Sequence, residues 1–326
     1  MNNLIDKIAL SKLTQDEAKN LMDVLINDEL SRDEIVEVLL SFNKRFICKD
    51  EVIGFRKSLL NLAVKPKIEF SNLLDVCGTG GDLKNTFNIS TLTALVVAGT
   101  GQKVAKHGNY SFSSSCGSSN ILESCGVKFS NDADYINKSL EKANIVFLHA
   151  PLFHPALKNL APIRKELQCR TIFNLLGPLL NPLQPQAQYT GVSSSEIFSL
   201  YYEVLDILNI DYSVVYTLDG YDEISLTDNF KLANKKEVKV YSPQELGFNL
   251  INQTDISGGN DIAASKKIFL DILDGKGTTN QNNVVLINSS FALMTAQDLS
   301  FAEAYDLSKA SLESKKALQS LMNVTK

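Results

Sequence analysis

The run Leu73-Leu74-Asp75-Val76-Cys77, followed at once by Gly78-Thr79-Gly80-Gly81-Asp82, constrains this chain's fold more than any other feature. A short apolar run bounded by glycines predicts a buried strand. The residues after the glycine loop lead into an apolar helix expected from about Ser90 to Ala98. Alternation then continues. Val104 and Ala105 lead into a second loop, 118–125 reads as a short helix ending at Gly126, and 145–148 as a strand. A helical stretch is expected from Pro155 to about Leu167, kinked or restarted at Pro162. Residues 214–218 and 238–241 are strand-like, and helices are expected near 261–273 and 300–321, the last opened by the capping box Ser300/Glu303. Such alternation implies an α/β fold with a mainly parallel central sheet.

Residues 1–65 have a different texture. Apolar residues recur at helical spacing (Leu21, Val24, Leu25; Ile35, Val38, Leu39), and the boxes Thr14/Glu17 and Ser31/Glu34 mark helix starts. A further helix near 50–62 stops before Pro66. No chemical constellation accompanies these helices, so they read as a packing or dimerisation module.

The net charge of −5 across 326 residues supplies no general attraction for nucleic acid, although a local positive pocket remains compatible with it. The five cysteines form no CxxC pair, so neither a disulfide framework nor a zinc site is suggested. The first residues lack the basic head and apolar run of a signal peptide, and no apolar stretch approaches the roughly 20 residues of a membrane span. A cytoplasmic location is expected, with no membrane partner.

Four constellations carry chemistry. The glycine loop lets backbone N–H groups approach a phosphate, and the helix after Thr86-Phe87-Asn88-Ile89-Ser90-Thr91 adds its N-terminal dipole. It is neither a Walker loop nor a dinucleotide fingerprint, since no Gly-Lys-Ser/Thr follows and Leu83 stands where a third glycine is needed. The bland alternative is an ordinary tight turn. The second constellation is Lys106-His107-Gly108-Asn109, followed by the serine-rich run 111–118, a point charge and hydroxyl donors suited to a second phosphate. Adjacent Asp222 and Glu223 form the third; on a strand they would face opposite ways, so they can act together only from an irregular loop. Such a pair suits magnesium, but solvated acidic turns are common. The fourth is Arg164, set on the stripe Leu157, Leu160, Leu167; a cation there needs a partner, whether a structural ion pair or a ligand. His154, beside Phe153 and Pro155, is similarly ambiguous, a lone histidine being more often a packing residue than a catalytic one.

Together with 170–178 (Arg-Thr-Ile-Phe-Asn-Leu-Leu-Gly-Pro) and Gly258-Gly259, these motifs closely resemble the anthranilate phosphoribosyltransferase family, almost end to end. The resemblance implies a nucleoside phosphorylase/phosphoribosyltransferase class II-like fold. A helical domain over 1–65 would be rejoined by a segment near 165–185, and an α/β domain would span 70–326. It further implies magnesium-dependent transfer of phosphoribose from 5-phosphoribosyl 1-diphosphate (PRPP) to the amine of anthranilate, in tryptophan biosynthesis, by a homodimer. Gly78, Gly81, Asp82, Thr86, Asn88, Ser90, Thr91, Lys106, His107, Gly108, Asn109, Ser114 and Ser118 would bind PRPP. Ser90, Asp222 and Glu223 would hold magnesium, two ions being expected. Gly78, Asn109, His154 and Arg164 would meet anthranilate, with Asn109 and Lys106 the catalytic pair.

The chain departs from the family pattern at Tyr110, where arginine is usual, at Ser115, where lysine is frequent, and at Cys116, where serine is usual. These weaken the positive rim expected around PRPP. Asn288 is followed by Ser289 and Ser290 where alanines are common. A pyrimidine nucleoside phosphorylase-like enzyme would share the architecture, but its longer Ser-Gly-Arg…Thr-Gly-Gly signature is absent. A non-catalytic nucleic-acid-binding relative fits poorly with the acidic charge and the retained Asn109, Arg164, Asp222 and Glu223.

Overall fold

The computed structural model of the chain describes residues 8, 11–27, 29–110 and 116–325. Ser114 and Ser115, and most of residues 1–10, lie outside them. Seven strands form one sheet: β1 (Leu74–Gly78), β2 (Val104–Gly108), β3 (Ile145–His149), β4 (Ala187–Gly191), β5 (Asp211–Thr217), β6 (Phe230–Asn234) and β7 (Val238–Tyr241), in the order β3-β2-β1-β4-β5-β6-β7. Pairing is parallel from β3 through β5 and antiparallel for β6 and β7. Strand order reverses at β1, which lies between β2 and β4. A crevice opens there at the carboxyl ends of the strands, where open α/β sheets bind ligands.

Helices cover the sheet from two sides. The first three, α1 (Gln15–Ile26), α2 (Arg32–Phe42) and α3 (Lys49–Asn61), begin at Thr14, Ser31 and Cys48, and both expected capping boxes are present. Next come α4 (Ile89–Gly99), α5 (Ser118–Ser124), α6 (Ala133–Ala143), α7 (Ala150–Phe153), α8 (Leu160–Leu167), α9 (Ile172–Leu176) and α10 (Ser195–Leu208). The chain closes with α11 (Ile262–Leu273), α12 (Thr279–Ala296), α13 (Phe301–Glu313) and α14 (Lys316–Val324). One apolar core joins α4 and α11–α14 to the sheet. A second joins α1–α3 to Leu160, Ile163, Ile172, Phe173 and Leu176, and to α10 and β5. The crevice lies where these two bodies of packing meet.

Several local expectations need correction. Lys106 and His107 belong to β2 itself, not to a loop after it. The stretch 155–167 is a 3-10 turn (Pro155–Leu157) followed by α8, so Leu157 is not on the helix that carries Arg164. Pro162 stands in the first turn of α8, where a missing N–H costs little. The expected helix 300–321 is two helices, broken at Lys315 with φ of 62°. Strands β4 and β6 and helices α6, α10 and α12 are additional.

Candidate active site

Strand β1 delivers Gly78 to the crevice, and the chain turns through Gly80 (φ 65°) and Gly81 (φ 77°) before entering α4. The entry is held by a second glycine segment. Gly258 N–H donates to the Asn85 carbonyl at 2.7 Å, and a Cβ at Gly258 would lie 2.3 Å from the Thr86 carbonyl oxygen. Asn88 stands at the N-cap position of α4 without a side-chain capping bond; its Nδ2 instead donates to the Cys116 carbonyl at 2.9 Å, fastening the first loop to the end of the second.

Asp222 and Glu223 come from the irregular loop between β5 and β6. Gly80 N–H donates to Asp222 Oδ2 at 2.8 Å, and Ser90 N–H donates to Glu223 Oε1 at 2.9 Å. One carboxylate thus holds the glycine loop and the other the N-terminus of α4. Asn288 on α12 sets this loop: its Oδ1 accepts from Ile224 N–H at 3.1 Å and Tyr189 Oη at 2.8 Å, and its Nδ2 donates to the Ile224 carbonyl at 2.8 Å. Gly191 at the end of β4 permits the approach, since a Cβ there would sit 1.5 Å from the Asp222 carbonyl oxygen.

Burial pushes the Asp222 carboxyl up to about 7, assisted by repulsion from Asp82. Glu223 rises well above the carboxylate range from burial and from Asp222 and Asp82. Asp82 is raised as well, chiefly by burial. Lys106 is buried beneath them; its Nζ donates to the Val76 carbonyl and to Ser90 Oγ at 3.3 Å, and burial lowers its pKa. Crowded carboxylates around one buried, desolvated lysine call for an added cation. Among the described residues no three His, Cys, Asp or Glu side chains form a metal-holding cluster. A carboxylate pair completed by water and phosphate is the donor set magnesium accepts.

The two histidines of this cleft, His107 and His154, are held neutral. His107 is lowered to about 3 by burial and by His154, and His154 is lowered by burial. His154 Nε2 donates to the Leu180 carbonyl at 2.8 Å and His107 Nδ1 to the Gly177 carbonyl at 3.2 Å. Their other ring nitrogens, and Thr91 Oγ1, are buried without protein partners. Arg164 makes no ion pair among the described residues; its guanidinium lies 4.9 Å over the Phe173 ring. The structural ion pair is thereby set aside. Asn109 Oδ1 accepts from Tyr110 N–H at 2.8 Å, leaving its amide donors available.

These groups face one cleft of about 330 Å3, which brings together every sequence-nominated site residue except Ser114, which lies outside the described residues. A larger cavity of about 800 Å3 borders α2, α3 and α10 and touches the first at Thr79, Gly80 and Asn174, but the carboxylate pair and Lys106 are in the smaller one. Tyr110 reaches the cleft, yet its hydroxyl donates to Glu123 at 2.8 Å and its ring meets that of His149 edge to face. Two supporting residues escaped sequence reading. Asp75 is a buried carboxylate in β1 that accepts from Asn181 Nδ2 and His107 N–H, and an acid inside an apolar run was its visible signal. Gly191 gave no comparable local signal.

Residues 71–318 match the family described as "Glycosyl transferase family, a/b domain". Fold and crevice therefore define a glycosyl transferase of the α/β type. The chain is 46% identical over 321 residues to anthranilate phosphoribosyltransferase of Flavobacterium psychrophilum, covering 98% of this chain and 96% of that one. The Flavobacterium johnsoniae protein of the same name is 45% identical over 324 residues, with 99% and 97% covered. The crystal structure of anthranilate phosphoribosyltransferase from Thermus thermophilus matches with a TM-score of 0.91 at 31% identity, over 99% of this chain and 98% of that one. The Saccharomyces cerevisiae enzyme in complex with PRPP and Mg shares the fold, with a TM-score of 0.90 at 22% identity and 99% and 96% covered. The chain belongs to the anthranilate phosphoribosyltransferase family and is an enzyme.

Proposed function

We propose that the cleft binds PRPP with magnesium and aligns its anomeric carbon with the amine of anthranilate. The observation that carries this reading is the convergence of Asp222 and Glu223 on Gly80 and Ser90. Magnesium would neutralise charge on the diphosphate. Two separate carboxylate anchor points support two ions. Ser90, Asp222 and Glu223 would hold the metal, and the glycine loop, Lys106, Asn88, Thr91 and the second loop would hold the phosphates.

The amine nitrogen bonds to the anomeric carbon as that carbon's bond to diphosphate breaks. Diphosphate leaves with the electron pair, and the nitrogen then loses a proton to solvent. An aromatic amine is already neutral at pH 7, so the histidines need not act as bases. Their neutral state suits them to accept hydrogen bonds. Lys106 stabilises the departing charge from a buried position. Asn109 orients anthranilate, and catalysis is mainly alignment.

Arg164 reads the anthranilate carboxylate. Replacing it with alanine raises the KM for anthranilate roughly ten- to hundred-fold, the scale of a charge-assisted hydrogen bond, and that for PRPP much less. Steady-state kinetics with each substrate varied provides the check. Equal losses for both would assign Arg164 a structural role.

The reading extends to a cytoplasmic homodimer joined through the helical segment 1–65. No helix among the described residues is long and apolar enough to cross a membrane. Phe46, 76% exposed, supports the contact. Phe46→Glu is expected to shift sedimentation from dimer to monomer; a wild-type chain that stays monomeric at high concentration would refute the assembly.

A further inference from the structure

The segment joining α8 to α9 presents a cation to the glycine loop. A Cβ built on Gly81 would lie 2.5 Å from Arg170 Nη2, 2.7 Å from Cζ and 2.8 Å from Nε. Three such similar distances place the guanidinium face-on against Gly81, where any side chain would displace it. The arginine is tied to the helical side of the molecule: Asn43 Nδ2 donates to its carbonyl at 2.8 Å, and Thr171 caps α9 next to it. Among the described residues its guanidinium has no carboxylate at ion-pair distance, and it lines the larger cavity near Thr79 and Gly80, where the two cavities meet. A guanidinium stacked through its face keeps its five N–H donors directed outward in its own plane, the geometry that grips phosphate.

The need for such a cation is visible nearby. Tyr110 contributes no charge, and Lys84 Nζ sits 4.8 Å over the Tyr221 ring. Lys106 is buried under the carboxylates, and Arg164 is stacked on Phe173. We propose that Arg170 is a diphosphate-binding residue, contributed from the helical side of the cleft across the Gly80-Gly81 turn. This assignment rests on the PRPP reading above.

Calorimetry on the full chain, using inorganic diphosphate with magnesium and ribose 5-phosphate as separate probes, tests it. Arg170→Gln is expected to weaken diphosphate binding about tenfold or more and to leave ribose 5-phosphate binding and the thermal midpoint nearly unchanged. Arg170→Lys, which keeps charge but loses the planar fork, should recover part of the loss. Unchanged diphosphate affinity in Arg170→Gln would overturn the proposal. So would an equal loss for both probes with a lowered thermal midpoint, which is the mark of a structural prop. Failure of the wild-type chain to bind diphosphate at all would instead remove the PRPP reading on which the assignment depends.

Discussion

Exchanging Asp222 for asparagine and Glu223 for glutamine together is expected to lower turnover on the order of 10²–10³-fold, the scale for losing preorganised charge stabilisation at a transition state. The magnesium optimum should rise in the same variant. Stability should move the other way when no metal is present. Both folded carboxyl groups have raised pKa values, with Asp222 at about 7. A raised folded pKa means that the stability the protonated group brings is complete below its unfolded value near 3.8 and is lost as pH rises through about 7. In a chelator, the parent's thermal midpoint should therefore fall from pH 5 to pH 8 relative to that of the double variant. Added magnesium should restore the parent at pH 8 and leave the variant unmoved. Kinetics and paired melts check both halves; a folded variant with unaltered magnesium dependence would remove these residues from the metal site.

Gly191→Ala should damage activity about as severely without touching a charged group. Its Cβ would stand 1.5 Å from the Asp222 carbonyl oxygen, which is covalent distance. The acidic loop must move by more than an ångström, and misplacement on that scale costs on the order of 10²-fold in rate. The accompanying destabilisation should be about 1–3 kcal/mol, typical of overpacking, so the chain remains folded. The variant should show weakened magnesium response and a nearly normal circular dichroism spectrum. Wild-type turnover in Gly191→Ala would mean that the placement of this loop is not critical.

Why Gly191 was invisible beforehand shows what a sequence can reveal about this fold. The glycine loop, Lys106 and the acidic pair were legible because each motif's chemistry is local: donors, charge and backbone freedom lie within a few residues. Capping boxes at Thr14, Ser31 and Ser300 were legible for the same reason, and all three are present. Strand β4 was not, because its sequence Ala-Gln-Tyr-Thr-Gly is buried yet polar. Gln188 Nε2 is satisfied by the Pro178 carbonyl at 2.9 Å and Thr190 Oγ1 at 2.7 Å, partners that exist only after folding.

Helix α12 lacked a visible stripe for a related reason. It is buried around nearly its whole circumference, so no apolar face contrasts with a polar one. Ser289 and Ser290 are tolerated there because their hydroxyls donate to the carbonyls of Val285 and Leu286, each at 2.7 Å. They lie in a core that holds Asn288 in place and do not disturb the acidic loop. Tyr110 is the converse case. Its departure from the family pattern was plain, but its direction, toward Glu123 and His149, depends on helix α5 packing beside it.

The most direct measurement of the proposed chemistry follows anthranilate fluorescence with the purified chain. Signal should decay only when PRPP and magnesium are both present, and chelation should stop it at once. The Asp222→Asn, Glu223→Gln double variant should lose nearly all of that decay. A steady signal with both components present would contradict phosphoribosyl transfer to anthranilate, as would decay that persists without PRPP.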